Sequence, residues 1–221
     1  MSKARPKPKT MPPVIARDLV VLAADKDTEQ ALAGLLETRT QSLQIRAIKF
    51  DTVIHPQHDP GCLLQSGGIL AGYLRSHARA VVVFDREGCG RDELTREALE
   101  KMVETVLAQA WADRVAVVVN DPELESWVWS NATHLPDLLG WPNDTQTLPD
   151  WLVEQGYLDV VGQVKPARPK EAMAAVLRQV RKPRSAAIFR QIAEKVSFRN
   201  CIDPAFHKLL TTLRKWFPVV T

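Results

Sequence analysis

Two carboxylates, Asp85 and Glu87, follow an apolar run and stand next to Gly88 and Gly90. The run, residues 80–84, is typical of a strand that is buried on both faces of a parallel sheet. Ligands of open α/β sheets bind beyond the carboxyl ends of the strands. Because side chains at i and i+2 of an extended segment point the same way, we expect both acids to face one divalent cation. A strand end with solvated acids is the alternative, and this pair alone does not exclude it.

Carboxylates also follow two other predicted strands. Residues 18–24 predict the first strand, and Asp25 and Glu29 then lie on one face at the start of a helix. Helix capping and the helix dipole also favour acids at a helix start, and for this segment taken alone they are the better explanation. Residues 114–119 predict the fourth strand, which leads into a helix carrying Glu125. Acids at three carboxyl strand ends of one sheet can converge on one or two Mg²⁺ or Mn²⁺ ions.

Alternating apolar and polar residues at 45–50 predict the second strand. A second group of possible metal ligands lies in the turn-rich loop that follows it. The loop carries His55, His58 and Cys62, a spacing that could bind zinc with Cys89 as fourth ligand. The paired spacing of common zinc sites is missing. A loop that lines the substrate entry is therefore the favoured interpretation.

The order of the predicted elements defines the fold. Strands alternate with helices, among them residues 63–77, for which His77 is predicted as a C-terminal cap, and residues 91–111. This order predicts the α/β class, with a parallel sheet of about four strands flanked by helices. From about residue 135 the pattern changes to short helices, which are predicted at residues 151–157, 170–180, 185–196 and 204–217. We therefore expect a disordered basic tail (1–13), an α/β domain (14–134) and a basic helical region packed on it (135–221).

Composition limits the classes of protein to consider. A chain of 221 residues with 45% hydrophobic and 25% charged residues is typical of globular proteins. No apolar stretch approaches the roughly 20 residues that span a bilayer, so we expect no membrane partner. Residues 1–13 lack the apolar segment of a secretory signal, and three scattered cysteines do not make a disulfide framework. A cytoplasmic location is expected.

The net charge of +3 hides an asymmetry. Residues 13–150 carry 12 basic and 21 acidic side chains, a net charge of −9, whereas residues 151–221 carry 13 basic and five acidic ones, a net charge of +8. An acidic part beside a basic part predicts a metal site next to a polyanion-binding surface. Mutual attraction of the two parts is the alternative.

Four basic residues of the helical region are candidates for nucleic-acid binding. Lys170 is predicted near the free amides of a helix N-terminus, an arrangement that suits a phosphate. Lys165, Arg168 and Arg178 lie near it in the sequence. Lysine and arginine at such positions neutralise backbone phosphates with little regard to base sequence. A solvated basic helix face is the alternative for any one of them.

The motifs resemble the Toprim domain of topoisomerases, primases and OLD-family nucleases, and more closely the small Toprim-like proteins of bacterial anti-phage loci. The corresponding elements are Asp25-Lys-Asp-Thr-Glu29, Asp85-Arg-Glu87 and Pro122-Glu-Leu-Glu125-Ser-Trp127. The resemblance covers residues 18–130 well and the rest loosely. Two departures stand out, because Asp25-Lys26 replaces the usual Glu-Gly and Asp-x-Glu replaces Asp-x-Asp.

The resemblance implies a Mg²⁺-dependent nuclease of an anti-phage defence system, with a methylation-associated system as one candidate. Asp85, Glu87, Glu29 and Glu125 would hold the metal, and Asp25 would stand where the family has its general base or a ligand. The alternative is a non-catalytic Toprim-like subunit that binds another defence protein such as an ATPase. The two departures from the family motifs favour this alternative. A zinc enzyme built on the histidine loop is the third hypothesis.

Overall fold

The computed structural model describes residues 15–129, 134–142, 146–160, 165–195 and 201–219, and the predicted tail of residues 1–13 lies outside these ranges. The strands are β1 (Arg17–Ala23), β2 (Phe50–Ile54), β3 (His77–Asp85) and β4 (Val115–Asn120). The helices up to the end of the sheet region are α1 (Lys26–Thr38), α2 (Thr40–Leu43), α3 (His58–Leu70), α4 (Arg96–Trp111) and α5 (Glu125–Trp129). The helices that follow are α6 (Leu135–Leu139), α7 (Leu148–Glu154), α8 (Pro169–Gln179), α9 (Ala186–Lys195) and α10 (Pro204–Trp216).

The four strands are all parallel and lie in the order β2-β1-β3-β4. The prediction of an α/β protein with a parallel sheet of about four strands flanked by helices is therefore confirmed. β2 lies on one side of β1 and β3 on the other, so the direction of winding reverses between β1 and β3. A crevice opens beyond the carboxyl ends of the strands at such a reversal, and ligands of open α/β sheets bind there.

The sheet separates two apolar cores. Val21 and Val83 face a core that α1, α9 and α10 complete. The alternate residues Val82 and Phe84 face a second core with α3 and α4. Because both faces are covered, the inner strands are continuous apolar runs, and this is why the sequence reveals them.

The helices after the sheet form a third core together with α5. Trp129 of α5, Met173 of α8 and Phe189 of α9 are buried in it, and Ala31 of α1 contributes to it as well. α9 also lies against α1 at very short range, since a Cβ atom added to Gly34 would come within 2.9 Å of the Arg190 carbonyl oxygen. The helical region is thus packed onto the sheet region through α1 and α5.

The second strand does not lie where the alternation predicts it. The prediction over residues 45–50 is wrong, because the strand is Phe50–Ile54. Ile45 instead forms an isolated antiparallel bridge with Pro218, and the Arg46 amide donates to the Phe217 carbonyl at 3.0 Å. The alternation reflects real burial of Ile45, but its pairing partner comes from the far end of the chain, which no local pattern reveals.

The helix predicted over residues 63–77 is also displaced. α3 begins at His58, and a 3₁₀ turn separates it from β3. Pro60 lies in the first turn of α3, where proline is tolerated, so its presence does not prevent the segment from forming a helix. The assignment of His77 as a helix cap is wrong, because it is the first residue of β3. Its Nε2 lies 2.9 Å from Asp51 Oδ2, and its Nδ1 lies 2.9 Å from Ser76 Oγ.

Candidate active site at the carboxyl edge of the sheet

Five carboxylates lie at the carboxyl edge of the sheet, beside the reversal between β1 and β3, and are linked to one another by electrostatic interactions. We call them the acid cluster. They are Asp25 after β1, Asp59 in the first turn of α3, Asp85 at the end of β3, and Glu123 and Glu125 after β4. The carboxyl ends of parallel strands meet at one edge of a sheet, so residues far apart in sequence come together there.

Asp85 ends β3 and is only 8% exposed. Its Oδ1 accepts hydrogen bonds from Asn120 Nδ2 at 2.8 Å and from the Leu124 amide at 3.0 Å. Its own amide donates to Asp59 Oδ1 at 2.8 Å. These bonds hold the carboxylate in place, but none of these partners carries a positive charge.

The acids of the cluster affect one another electrostatically. Burial raises the pKa of Asp85 well above its usual value, and the nearby carboxylates of Asp59, Glu125 and Asp25 raise it further. Burial likewise raises the pKa of Asp59, and Asp25 adds to the effect. Burial also raises the pKa of Glu125. Ionisation of Asp85, Asp59 or Glu125 therefore lowers the stability of the folded protein.

Asp25 has a structural role in addition to its place in the cluster. Its Oδ1 accepts a hydrogen bond from the Thr28 amide at 2.8 Å and so caps α1. The capping interpretation of the sequence is therefore confirmed for one oxygen of this carboxylate.

Two cations of the helical region lie against the acid cluster. Lys170, in the first turn of α8, places Nζ 3.2 Å from Glu123 Oε1. Arg184, just before α9, lies 2.8 Å from both Glu125 Oε1 and Asp27 Oδ2. Burial alone would lower the pKa of Lys170, but Glu123 and Glu125 raise it above its usual value. The third core thus delivers positive charge to the crevice.

Two of the predicted ligands lie elsewhere. Glu29 accepts a hydrogen bond from Thr52 Oγ1 at 2.9 Å and pairs with Lys26. Partial burial would raise the pKa of Glu29, but the contacts with Lys26 and Thr52 outweigh it and lower the pKa. Glu87 is exposed, and its amide donates to the Pro122 carbonyl at 3.1 Å. The structure does not bring either carboxylate to the acid cluster.

The structure brings together three of the five predicted catalytic acids, Asp25, Asp85 and Glu125. Asp59 and Glu123 are additions that the sequence analysis missed. A signal for Asp59 exists, because it follows β2 and so lies at the same edge as the other acids. The flanking residues His55, His58 and Cys62 favoured a zinc site as the interpretation of this segment instead.

The four predicted nucleic-acid contacts do not form one uniform surface. Lys165 lies 2.6 Å from an aspartate at the start of α10, and Arg168 lies 2.7 Å from the glutamate three residues on. Lys170 faces the acid cluster, and Arg178 is exposed near the end of α8. Of the four, Lys170 is the one that the fold places at the crevice.

The predicted zinc ligands do not form a ligand group among the described residues. His58 Nδ1 lies 3.1 Å from the Ala24 carbonyl oxygen. Cys62 and Cys89 are buried, and burial raises the pKa of both thiols, which disfavours the thiolate that zinc requires. Within the described ranges, no three His, Cys, Asp or Glu side chains form a group that could hold a metal ion.

That finding applies to the acid cluster as well as to the histidine loop. Asp59, Glu125 and Asp25 lie near enough to Asp85 to raise its pKa, yet the acids of the cluster are not spaced as a ligand set. Their chemistry does suit Mg²⁺ or Mn²⁺, which prefer carboxylate and carbonyl oxygens. Asn120 Oδ1 adds a buried carbonyl oxygen that has no hydrogen-bond partner among the described residues. The donors fit the ion in type, and their side chains would have to move inward to fit it in spacing.

Among the described residues, no helix combines the length and apolar character needed to cross a bilayer. In comparisons with known proteins, no family model, curated protein or solved structure matches the chain.

Proposed function

We propose that the chain is a nuclease that depends on Mg²⁺ or Mn²⁺ and works at the acid cluster, in the anti-phage role that the Toprim-like motifs imply. The observation that carries the proposal is Asp85. A carboxylate only 8% exposed, with a pKa raised by burial and by other acids, destabilises the fold when it is ionised. Titratable side chains in a cleft whose pKa is strongly shifted by burial and by neighbouring charges are characteristic of functional sites.

The proposed ligands are Asp25, Asp59, Asp85 and Glu125, with Asn120 Oδ1 as a further donor. When bound, the ion supplies stabilisation of the charge on the attacking and leaving oxygens of a phosphodiester. Asp85 supplies the fixed ligand, because two hydrogen bonds hold its Oδ1. Asp25 and Glu125 would turn towards it from the ends of the neighbouring strands.

Lys170 is the proposed phosphate-binding residue of this site. Its ammonium group lies at the crevice and at the start of α8, where free backbone amides also favour an anion. A substrate phosphate would compete with Glu123 for it. Binding through such charges should be sensitive to salt and mostly independent of base sequence.

A cleavage assay tests this function. The purified chain, alone and with the proteins encoded beside it, is incubated with labelled single- and double-stranded DNA and RNA in Mg²⁺, Mn²⁺ or a chelator. We expect at least one class of nucleic acid to be cut in the presence of a divalent ion, with no cutting in chelator and a steep decrease with salt. Failure of the folded protein to cut any of them in either ion would contradict the proposal.

A second candidate is the non-catalytic partner subunit. The observation in its favour is that Lys170 and Arg184 already pair with Glu123 and Glu125, so the helical region itself neutralises part of the acid cluster. In that case the acid cluster binds no divalent ion. Metal titration of the folded protein separates the two functions.

A further inference from the structure

The two edges of the sheet differ in how their backbone groups are protected. At the outer edge of β4, the Val119 amide donates to Glu100 Oε1 at 3.1 Å and the Val117 amide donates to Glu104 Oε1 at 2.9 Å. Lys208 of α10 donates to both carboxylates, at 3.1 and 2.7 Å. Side chains thus occupy the hydrogen-bonding groups that another strand would need, which is a common way of protecting a sheet edge.

The edge at β2 has no such protection in the part of the chain that the structure describes. β2 is the other outer strand, and each residue of Phe50–Ile54 is partly exposed. No side chain among the described residues bonds to a backbone group of this strand. Its sequence, Phe-Asp-Thr-Val-Ile, contains neither lysine nor proline, and its one charged side chain, Asp51, is held by Arg17 and His77 of the same chain.

A groove of about 770 Å³ runs beside β2, and we call it the edge groove. It is lined by β2 and the residues before it, by α1 and by Arg190 of α9. Its charges are of both signs, with Arg17, Lys49 and Arg190 beside Glu37 and Asp51. Arg17 pairs with Asp51 and Arg190 pairs with Glu37 within the chain, so the groove has little net charge. Such a surface does not suit a polyanion, and a second copy of the same surface would meet no net repulsion there.

Two copies of β2 can also pair with each other through their side chains. Antiparallel pairing of two copies about Thr52 places Phe50 of each opposite Ile54 of the other, and Asp51 opposite Val53. An aromatic residue opposite a β-branched one is a favourable cross-strand pair. Thr52 would face its own counterpart on the two-fold axis.

We infer that β2 pairs antiparallel with β2 of a second copy of this chain, which joins two four-stranded sheets into one sheet of eight strands. The interface is isologous, so it closes after two copies and does not propagate into a fibre. Because the two β2 strands run in opposite directions, the two acid clusters lie at opposite edges of the joined sheet. The inference does not depend on the proposed nuclease activity.

A charge-reversal pair tests this interface. Val53→Asp places a carboxylate opposite Asp51 of the second copy, whereas Val53→Lys places an ammonium group there. Both variants lose the same partly buried valine, so they are matched in their effect on the fold. In sedimentation velocity we expect wild type and Val53→Lys to be dimers and Val53→Asp to dissociate at least about tenfold more readily. A monomeric wild type at all concentrations, or equal dimerisation of the two variants, would overturn the inference.

A cysteine at the two-fold axis tests the register. In Thr52→Cys the two Cα atoms would lie about 4.5–5.5 Å apart, within the range that a disulfide spans. Oxidation with diamide should therefore link two copies. Val106→Cys is the control, because Val106 is 60% exposed on α4, and the native cysteines are all buried. Equal cross-linking of the two variants would contradict the pairing about Thr52.

Discussion

Asp85→Asn is expected to lower the rate of divalent-ion-dependent cleavage by at least about 100-fold, because it removes the carboxylate that the fold holds at the centre of the proposed site. Asparagine keeps the size of the side chain and an oxygen that can accept from Asn120 and Leu124. The loss would therefore not come from a collapsed fold. The measurement is the initial rate of cleavage at saturating Mg²⁺ or Mn²⁺.

The same substitution should make the fold more stable, with a defined pH dependence. The pKa of Asp85 is raised in the folded protein, so the folded state holds the proton more tightly than the unfolded chain does. Stability is therefore lost as pH rises from the unfolded value of about 3.9 through the folded pKa. The asparagine side chain does not ionise, so the variant escapes this loss. We expect its melting temperature to exceed that of wild type by about 3 °C or more at pH 8, and the gap to shrink towards pH 4.

Two further variants define what this result means. Asp113→Asn is the matched control, since its side chain is 89% exposed and lies 3.8 Å from Arg79, outside the acid cluster. It should change neither cleavage nor stability. Glu87→Gln tests the ligand set that the sequence predicts, and we expect near-normal cleavage because Glu87 is exposed. A Glu87→Gln variant as inactive as Asp85→Asn, or an Asp85→Asn variant less stable than wild type at pH 8, would contradict this description of the site.

Gly34→Ala is expected to destabilise the protein by about 1–2 kcal/mol, because a methyl group there has no space. Its Cβ would lie 2.9 Å from the Arg190 carbonyl oxygen and 3.3 Å from Ala193 Cβ, so α9 would have to move away from α1. Arg184 stands just before α9, and the displacement would also weaken its ion pair with Glu125. Urea unfolding measures the loss of free energy.

Gly68→Ala is the matched control for this prediction. Gly68 lies in α3, and an added Cβ would have no atom within 4 Å. Alanine is a better helix former than glycine by about 1 kcal/mol, so this substitution should stabilise the protein. The two glycine substitutions are therefore expected to have opposite signs. The same sign for both would show that α9 does not approach α1 as closely as the structure has it.

Much of the fold could be predicted because three of its strands are buried on both faces. Their apolar runs are visible in the sequence at residues 18–24, 80–84 and 114–119. β2 was misplaced because it is an edge strand, and because the alternating segment before it pairs with Pro218 from the other end of the chain. A local pattern reports which residues are buried, but not what they are buried against.

The site was predictable where it depends on strand ends and unpredictable where it depends on side-chain direction. Asp25, Asp85 and Glu125 come together because the carboxyl ends of parallel strands share an edge. Glu29 lies one helical turn beyond Asp25, and there its carboxylate reaches Thr52 of β2. Glu87 was expected to share the direction of Asp85, but β3 ends at Asp85, so the alternation of an extended strand does not apply beyond it.

The most direct measurement of the central claim is a titration of the folded protein with Mn²⁺, followed by electron paramagnetic resonance. If the acid cluster of wild type binds a divalent ion, the signal of free Mn²⁺ should fall with saturable stoichiometry. Asp85→Asn should lose that binding, and Asp113→Asn should keep it. Wild-type protein that is folded and leaves all the Mn²⁺ free would contradict a metal-dependent function at this site.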